Sequence, residues 1–147
     1  MKTLNYSVKI NASKEKVWNV LIGKETYKKW AKAFSPESQY DGEWKQDNHM
    51  NFFDPNMGGT KALLKIVDHP NKILAKHIAV LSKDGVEDKV SEVAKKWIGA
   101  EEEYTFYETD GVTELKIEIK THEDFAQMFD EGWDKALKLL KDLCEKK

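Results

Sequence analysis

The sequence predicts an α+β fold, in which a curved antiparallel β-sheet grips a long C-terminal α-helix and two short helices follow the first strand. Residues 35–81 alternate apolar and polar side chains between turn signals, which is the pattern of successive strands. Residues 121–143 instead carry an apolar stripe at helical spacing. A sheet with one apolar face needs a cover, and this helix is the only element large enough to supply it.

The N-terminal part of the chain predicts one strand and two short helices. Residues 3–10 alternate apolar and polar side chains, which indicates a strand with one buried face. Ser13 is then a helix N-cap, and a short helix is expected to run to about Ile22. Gly23 can end this helix, and residues 25–30 predict a second short helical segment.

The rest of the chain predicts the remaining strands and the long helix. Apolar residues at helical spacing over residues 90–97 favour a short helix, with an irregular excursion as the open alternative. Thr121 is expected to cap the last helix, with Asp124 three residues on as a shortened capping box. Further strands are predicted around residues 40–44 and over residues 49–53, 60–67, 73–81, 103–108 and 113–121.

Length and composition favour one globular domain spanning residues 1–147. The chain weighs 17.0 kDa, and 40% of its residues are apolar and 34% charged, which is typical of a soluble protein. The single cysteine, Cys144, can make no internal disulfide, and residues 1–10 lack the apolar run of a signal peptide. We therefore expect a cytoplasmic location and no stable membrane association.

The charge balance argues against polyanionic partners. The chain has 24 basic and 26 acidic residues, a net charge of −2, and every basic residue is lysine. Arginine is the usual reader of guanine edges and of phosphates in bidentate geometry. The absence of arginine therefore argues against a nucleic-acid partner, and none is expected.

Motifs for metal, cofactor or nucleophilic chemistry are weak. The chain has four histidines: His49, His69, His77 and His122. Their spacing matches no metal site and no phosphate loop is present, so neither a metal nor a cofactor is expected. Cys144 is expected to be inert, and the three glutamates of residues 101–103 are expected to be solvated surface groups.

Several segments together carry a family resemblance. Residues 12–18 (ASKEKVW) and 27–30 (YKKW) resemble the first helix pair of the START-like, helix-grip superfamily, also called SRPBCC. Residues 42–45 (GEWK), 111–115 (GVTEL) and 132–140 (GWDKALKLL) resemble the branch named for the activator of the heat-shock protein 90 ATPase. The resemblance implies a single domain with a deep, mostly apolar cavity between sheet and last helix, used for lipids, sterols and polyketides. It implies no universal catalytic residue.

Strand parity and the helix stripe predict which side chains line such a cavity and contact a ligand. The alternative is that these side chains are ordinary packed core. The predicted residues are Tyr40, Phe52, Leu64, Ala75, His77, Tyr104, Phe106, Leu115, Ile117, Phe125, Phe129 and Trp133.

Three functions are compatible with these observations. The first is a binding protein that holds a small hydrophobic molecule in the cavity. The second is a co-chaperone-like domain that contacts a heat-shock protein 90 homologue, and a weak homodimer is a further open alternative. The third and least supported is a cyclase or hydrolase in which His77, His49 or Tyr40 acts as a general acid or base.

Overall fold

The computed structural model describes residues 1–146 and confirms the α+β architecture. The chain begins with β1 (Lys2–Ile10), α1 (Lys14–Ile22) and α2 (Lys24–Ala31). The last element is α4 (Ala126–Glu145), which follows a 3₁₀ turn over Glu123–Phe125. Between them lie β2 (Gln39–Asp41), β3 (His49–Asp54), β4 (Gly58–Asp68), β5 (Lys72–Leu81), β6 (Glu87–Asp88), α3 (Glu92–Trp97), β7 (Glu101–Thr109) and β8 (Val112–Thr121).

The strands form one antiparallel sheet in the order β1-β8-β7-β5-β4-β3-β2, with β6 paired to the end of β5. β7 pairs with β5 only as far as Lys76, because the chain before β7 leaves the sheet as α3. The backbone of His77 bonds instead to the segment after α3. Its N–H donates to the Ala100 carbonyl at 2.8 Å, and its carbonyl accepts from the Gly99 N–H at 2.9 Å. These hydrogen bonds hold the segment after α3 against the middle of β5.

Helix α4 covers the sheet and also packs against α1 and α2. Its Trp133 is 1% exposed and stacks on Trp30 of α2, with ring centroids 5.5 Å apart. The Trp30 indole N–H donates to the Leu21 carbonyl at 3.1 Å, so this ring also ties α2 to α1. The other buried residues of α4 are Ala126, Phe129, Gly132, Ala136, Leu140 and Cys144.

The start of the last helix differs from the prediction. Thr121 is fully buried as the last residue of β8, and its hydroxyl makes no hydrogen bond within residues 1–146. His122 caps the 3₁₀ turn instead, because its Nδ1 accepts from the Asp124 backbone N–H at 3.0 Å. The predicted Thr121 cap is therefore wrong, although the long helix itself is confirmed.

Strand β2 is shorter than the pattern of residues 40–44 predicts. It ends at Asp41, because Gly42 has a φ of +134°, a conformation that glycine adopts readily and that takes the chain out of the strand. Trp44 therefore belongs to the loop before β3, although its ring still contacts that of Tyr40, with centroids 5.5 Å apart.

Two of the short helices, α1 and α3, begin at serine caps. Ser13 caps α1, as its position predicts. Ser91 caps α3, where its hydroxyl oxygen accepts from the Ala94 N–H at 3.2 Å, and this confirms the helical alternative for residues 90–97. None of the helices within residues 1–146 is long and apolar enough to span a membrane.

Gly132 offers a test of how closely α4 is packed. A Cβ at this position would overlap the ring of Phe34, in the loop after α2. Replacing a helical glycine by alanine normally stabilises a protein by about 0.5–1 kcal/mol. We predict the opposite for Gly132→Ala, a loss of about 1–3 kcal/mol in the free energy of unfolding, measured by urea denaturation.

The matched control is the same substitution in a Phe34→Ala background, where the space is vacated. There, Gly132→Ala should be neutral or stabilising relative to Phe34→Ala alone. A stabilising effect of Gly132→Ala in the natural sequence would contradict the packing described here.

Candidate functional site

A cavity of about 280 Å³ lies between the inner face of the sheet and helices α2 and α4. Its walls come from α2 and the loop after it, from β3, β4, β5 and β7, and from the N-terminal half of α4. Met128 of α4 borders the cavity and is 39% exposed, so the cavity meets the surface beside it. A small molecule can therefore enter here.

Aromatic rings form much of the cavity wall. Tyr27 of α2 meets Trp30 edge-on, with centroids 4.9 Å apart, and lies 6.1 Å from Phe52 of β3. Such contacts hold the rings in fixed orientations. Ten aromatic side chains border the cavity: Tyr27, Trp30, Phe34, Trp44, Phe52, Phe53, Trp97, Tyr104, Phe129 and Trp133.

Space remains among these rings because small residues lie between them. Ala75 of β5 and Gly58 and Gly59 of β4 border the cavity. A Cβ on Gly59 would overlap the backbone of Phe52, so this position in the β3–β4 pair admits no side chain. The cavity thus depends on particular small residues as well as on the bulky rings around them.

Two polar side chains meet in this mostly apolar wall. His77 of β5 is 4% exposed, and its Nε2 lies 3.2 Å from Oε2 of Glu102 on β7. Because a carboxylate accepts hydrogen bonds, this contact places a hydrogen on Nε2 of His77. Nδ1 of His77 is buried and has no hydrogen-bond partner within residues 1–146. The pair therefore offers the carboxylate, and not the imidazole, to the cavity.

The inward position of Glu102 corrects the expectation that residues 101–103 are all solvated. Glu101 and Glu103 point to the outer face of β7, where lysine ammonium groups lie 3.5 and 3.6 Å from their carboxylates. Glu102 lies on the other face, with Tyr104. Strand parity contains this signal, because Tyr104 is predicted to point inward and side chains two residues apart share a face.

The hydroxyl groups of Tyr27 and Tyr104 add to the polar lining. Neither makes a hydrogen bond within residues 1–146, whereas the Tyr40 hydroxyl donates to the Ile22 carbonyl. Burial raises the pKa of both hydroxyls, and the negative charge of Glu102 raises it further. Both groups therefore stay protonated at neutral pH and can donate or accept a hydrogen bond.

Asp54 adds a second carboxylate at the rim, where β3 ends. It accepts hydrogen bonds from the Ser35 hydroxyl, from the Asn56 N–H at 2.8 Å and from the Glu37 N–H at 3.1 Å. These bonds hold the pKa of the Asp54 carboxyl below its usual range. Asp54 is therefore ionised, and it ties the loop after α2 to the β3–β4 turn.

Six of the twelve predicted ligand contacts border the cavity. Strand parity and the helix stripe orient them correctly, and contact with a ligand stays a prediction. They are Phe52, Ala75, His77, Tyr104, Phe129 and Trp133. The other six lie away from it: Tyr40, Leu64, Phe106, Leu115, Ile117 and Phe125.

These six side chains pack against other core residues. Strand parity predicts which face a side chain occupies, but not where along that face space remains. Phe106 lies 5.4 Å from Trp18, and Phe125 stacks on Trp97 at 4.5 Å. Leu115 and Ile117 belong to the main core of buried residues around α4. Leu64 and Tyr40 belong to a smaller cluster with Met50 and Ala75.

Most residues of the cavity wall were missed by the sequence analysis, among them Phe34, Trp97 and Glu102. Phe34 lies in the loop after α2, where no periodic pattern orients its ring. Trp97 ends α3, and the helical spacing of residues 90–97 does not indicate that this helix reaches the cavity. Glu102 is signalled by parity but is discounted because its two neighbours are also acidic.

The side chains considered for acid–base catalysis offer no free group here. His49 is exposed, the Tyr40 hydroxyl is engaged by Ile22, and Nδ1 of His77 is inaccessible. Within residues 1–146, no three histidine, cysteine or acidic side chains are grouped so as to hold a metal ion.

Residues 11–145 match the family described as "Activator of Hsp90 ATPase homolog 1-like protein". The chain belongs to this family. Among curated proteins, none matches the sequence. The START-like resemblance of the sequence is thereby confirmed at the level of the family and its fold.

Solved structures of similar proteins agree with this assignment. The solution structure of the Aha1 dimer from Colwellia psychrerythraea is 21% identical, with a TM-score of 0.75 over 99% of this chain and 98% of that chain. A protein from Mesorhizobium loti is 14% identical, with a TM-score of 0.76 over 99% and 98%. A protein from Mycobacterium smegmatis is 18% identical, with a TM-score of 0.72 over 99% and 91%. At these identities the likeness shows the helix-grip fold alone.

Cys144 is buried on α4, where burial raises the pKa of its thiol to about 11. Since the thiolate is the reactive form, a thiol with this pKa is almost entirely protonated at pH 8. We predict that the folded protein reacts with a disulfide reagent such as dithionitrobenzoate far more slowly than the same protein in urea. Equal rates in the two conditions would contradict this.

Proposed function

We propose that this member of the family binds a small hydrophobic molecule in the cavity between its sheet and α4. The observation that carries the proposal is the cavity itself, with its ten aromatic side chains and its opening beside Met128. A concave, mainly apolar site with a few convergent polar groups is the usual form of a small-molecule site. Here the polar groups are Glu102 and the hydroxyls of Tyr27 and Tyr104.

The volume favours a compact ligand, smaller than the four-ring sterols among the ligand classes that the resemblance implies. An engineered cavity of about 150 Å³ holds one benzene molecule. The present cavity, of about 280 Å³, has room for about two fused rings. The ring-lined wall suits a flat aromatic molecule, because aromatic groups stack and meet edge-on with favourable energy.

Partly filling the cavity should weaken binding. Ala75 is 2% exposed and borders the cavity, so the larger side chain of Ala75→Leu would occupy part of its volume. With 2-naphthylmethanol as a neutral two-ring probe, we predict that Ala75→Leu weakens the affinity by roughly tenfold or more, measured by titration calorimetry.

Phe106→Leu is the matched control, because Phe106 is buried on the inner face of β7 but packs on Trp18 away from the cavity. Its affinity for the probe should equal that of the natural sequence. Unchanged binding by Ala75→Leu, with a stability close to that of the unmodified protein, would contradict binding in this cavity.

A co-chaperone-like role is a second proposal, and the family description, which names the Hsp90 ATPase activator, supports it. Its test is the ATPase rate of an Hsp90 homologue from the same organism with and without the pure protein. An unchanged rate would contradict this role.

A homodimer is a separate proposal, and the dimeric relative from Colwellia psychrerythraea supports it. Light scattering after size exclusion tests it, because a dimer has twice the mass of the single chain.

A further inference from the structure

The ionic side chains that border the cavity are acidic. Glu102 and Asp54 carry negative charge there. The chain has 24 lysines and no arginine, yet none of the lysines within residues 1–146 borders the cavity. A positive charge on His77 would offset only one of these two carboxylates. A cation entering this site is therefore attracted, and an anion is repelled.

The Glu102 carboxylate has capacity left for a ligand. A carboxylate has about four lone-pair sites for hydrogen bonds. Within residues 1–146, Glu102 receives one hydrogen bond, at Oε2 from His77, and Oε1 makes none. Its side chain is 17% exposed, so Oε1 remains open to a donor that enters the cavity. A donor on the ligand would supply the missing partner.

Electron-rich rings border the same cavity as this carboxylate. Tyr27 and Tyr104 lie close enough for the charge of Glu102 to raise the pKa of both hydroxyls. Trp44 and Trp97 also border the cavity. The faces of tyrosine and tryptophan rings attract ammonium groups, and the attraction is stronger where water is excluded. A carboxylate among such rings is the chemistry that recognises an organic cation.

We propose that the cavity selects a compact aromatic molecule that carries a protonated amine, with Glu102 as its counter-ion. This inference rests on the binding function proposed above and narrows its ligand class. His77 acts as a positioning residue, because its Nε2–H fixes one oxygen of the carboxylate and leaves the other for the ligand. The same charge excludes fatty acids and aromatic carboxylates, since a like charge beside Glu102 is repelled.

Three probes with the same two-ring body test the charge preference. They are 2-naphthylmethylamine, which is protonated at pH 7, neutral 2-naphthylmethanol and anionic 2-naphthoate. By titration calorimetry at low salt, we expect the amine to bind roughly tenfold more tightly than the alcohol, and the carboxylate to bind most weakly. Glu102→Gln keeps the size of the side chain and an acceptor for His77. It should lower the affinity for the amine much more than that for the alcohol, so that the preference for the amine disappears.

Glu103→Gln is the matched control, because it removes the same charge from the next position of β7 but on the outer face, beside Lys72. It should keep the full preference for the amine. Binding of the alcohol by Glu102→Gln shows that the variant retains its cavity. An alcohol that binds as tightly as the amine, or a preference that survives in Glu102→Gln, overturns the inference and leaves the binding function standing. If none of the probes binds, both the inference and the binding function are overturned.

Discussion

The stacking of Trp133 on Trp30 is the contact on which the rest of the structure depends. It holds α4 against α2, and Trp30 in turn bonds to the end of α1. The Trp133 ring also lies 5.2 Å from Phe34 and 6.0 Å from Tyr104, so loop, helices and sheet meet at one side chain. Removing a buried tryptophan of this kind typically costs about 3–5 kcal/mol. The same ring forms one wall of the cavity, so stability and site share a single anchor.

The size of the side chains on the sheet decides where α4 packs tightly and where space remains. On β8 the inner face presents Leu115, Ile117 and Ile119, which fill the region under the helix. On β4 and β5 the inner face presents Gly59 and Ala75, and there the rings enclose a cavity. Within this cavity the His77 imidazole makes a hydrogen bond to one oxygen of the Glu102 carboxylate, which stabilises the carboxylate in a partly buried position and leaves its other oxygen open. One end of the fold is thus a solid core and the other a potential binding site.

The sequence predicts the fold well because periodicity acts along whole elements. The alternation in β1, β5 and β8 and the stripe of α4 follow from which face is buried, and the structure confirms them. The site is predicted only in part. Parity orients Phe52 and Ala75 correctly but also selects Leu115, because depth along a face depends on neighbours from distant strands. Loop residues such as Phe34 carry no periodic signal. Glu102 is predicted to be solvated because its two sequence neighbours, which face the other way, are also acidic.

The five tryptophans allow a direct test of ligand binding in this cavity. Trp30, Trp44, Trp97 and Trp133 border the cavity, whereas Trp18 packs against Phe106 outside it. In a two-dimensional ¹H–¹⁵N spectrum each indole N–H gives its own signal, so the protein can be titrated with 2-naphthylmethanol and the five signals followed together. Binding in the cavity predicts saturable shifts of the four cavity signals while that of Trp18 stays in place. An absence of shifts at high probe concentration, or a shift of Trp18 as large as the others, would contradict it.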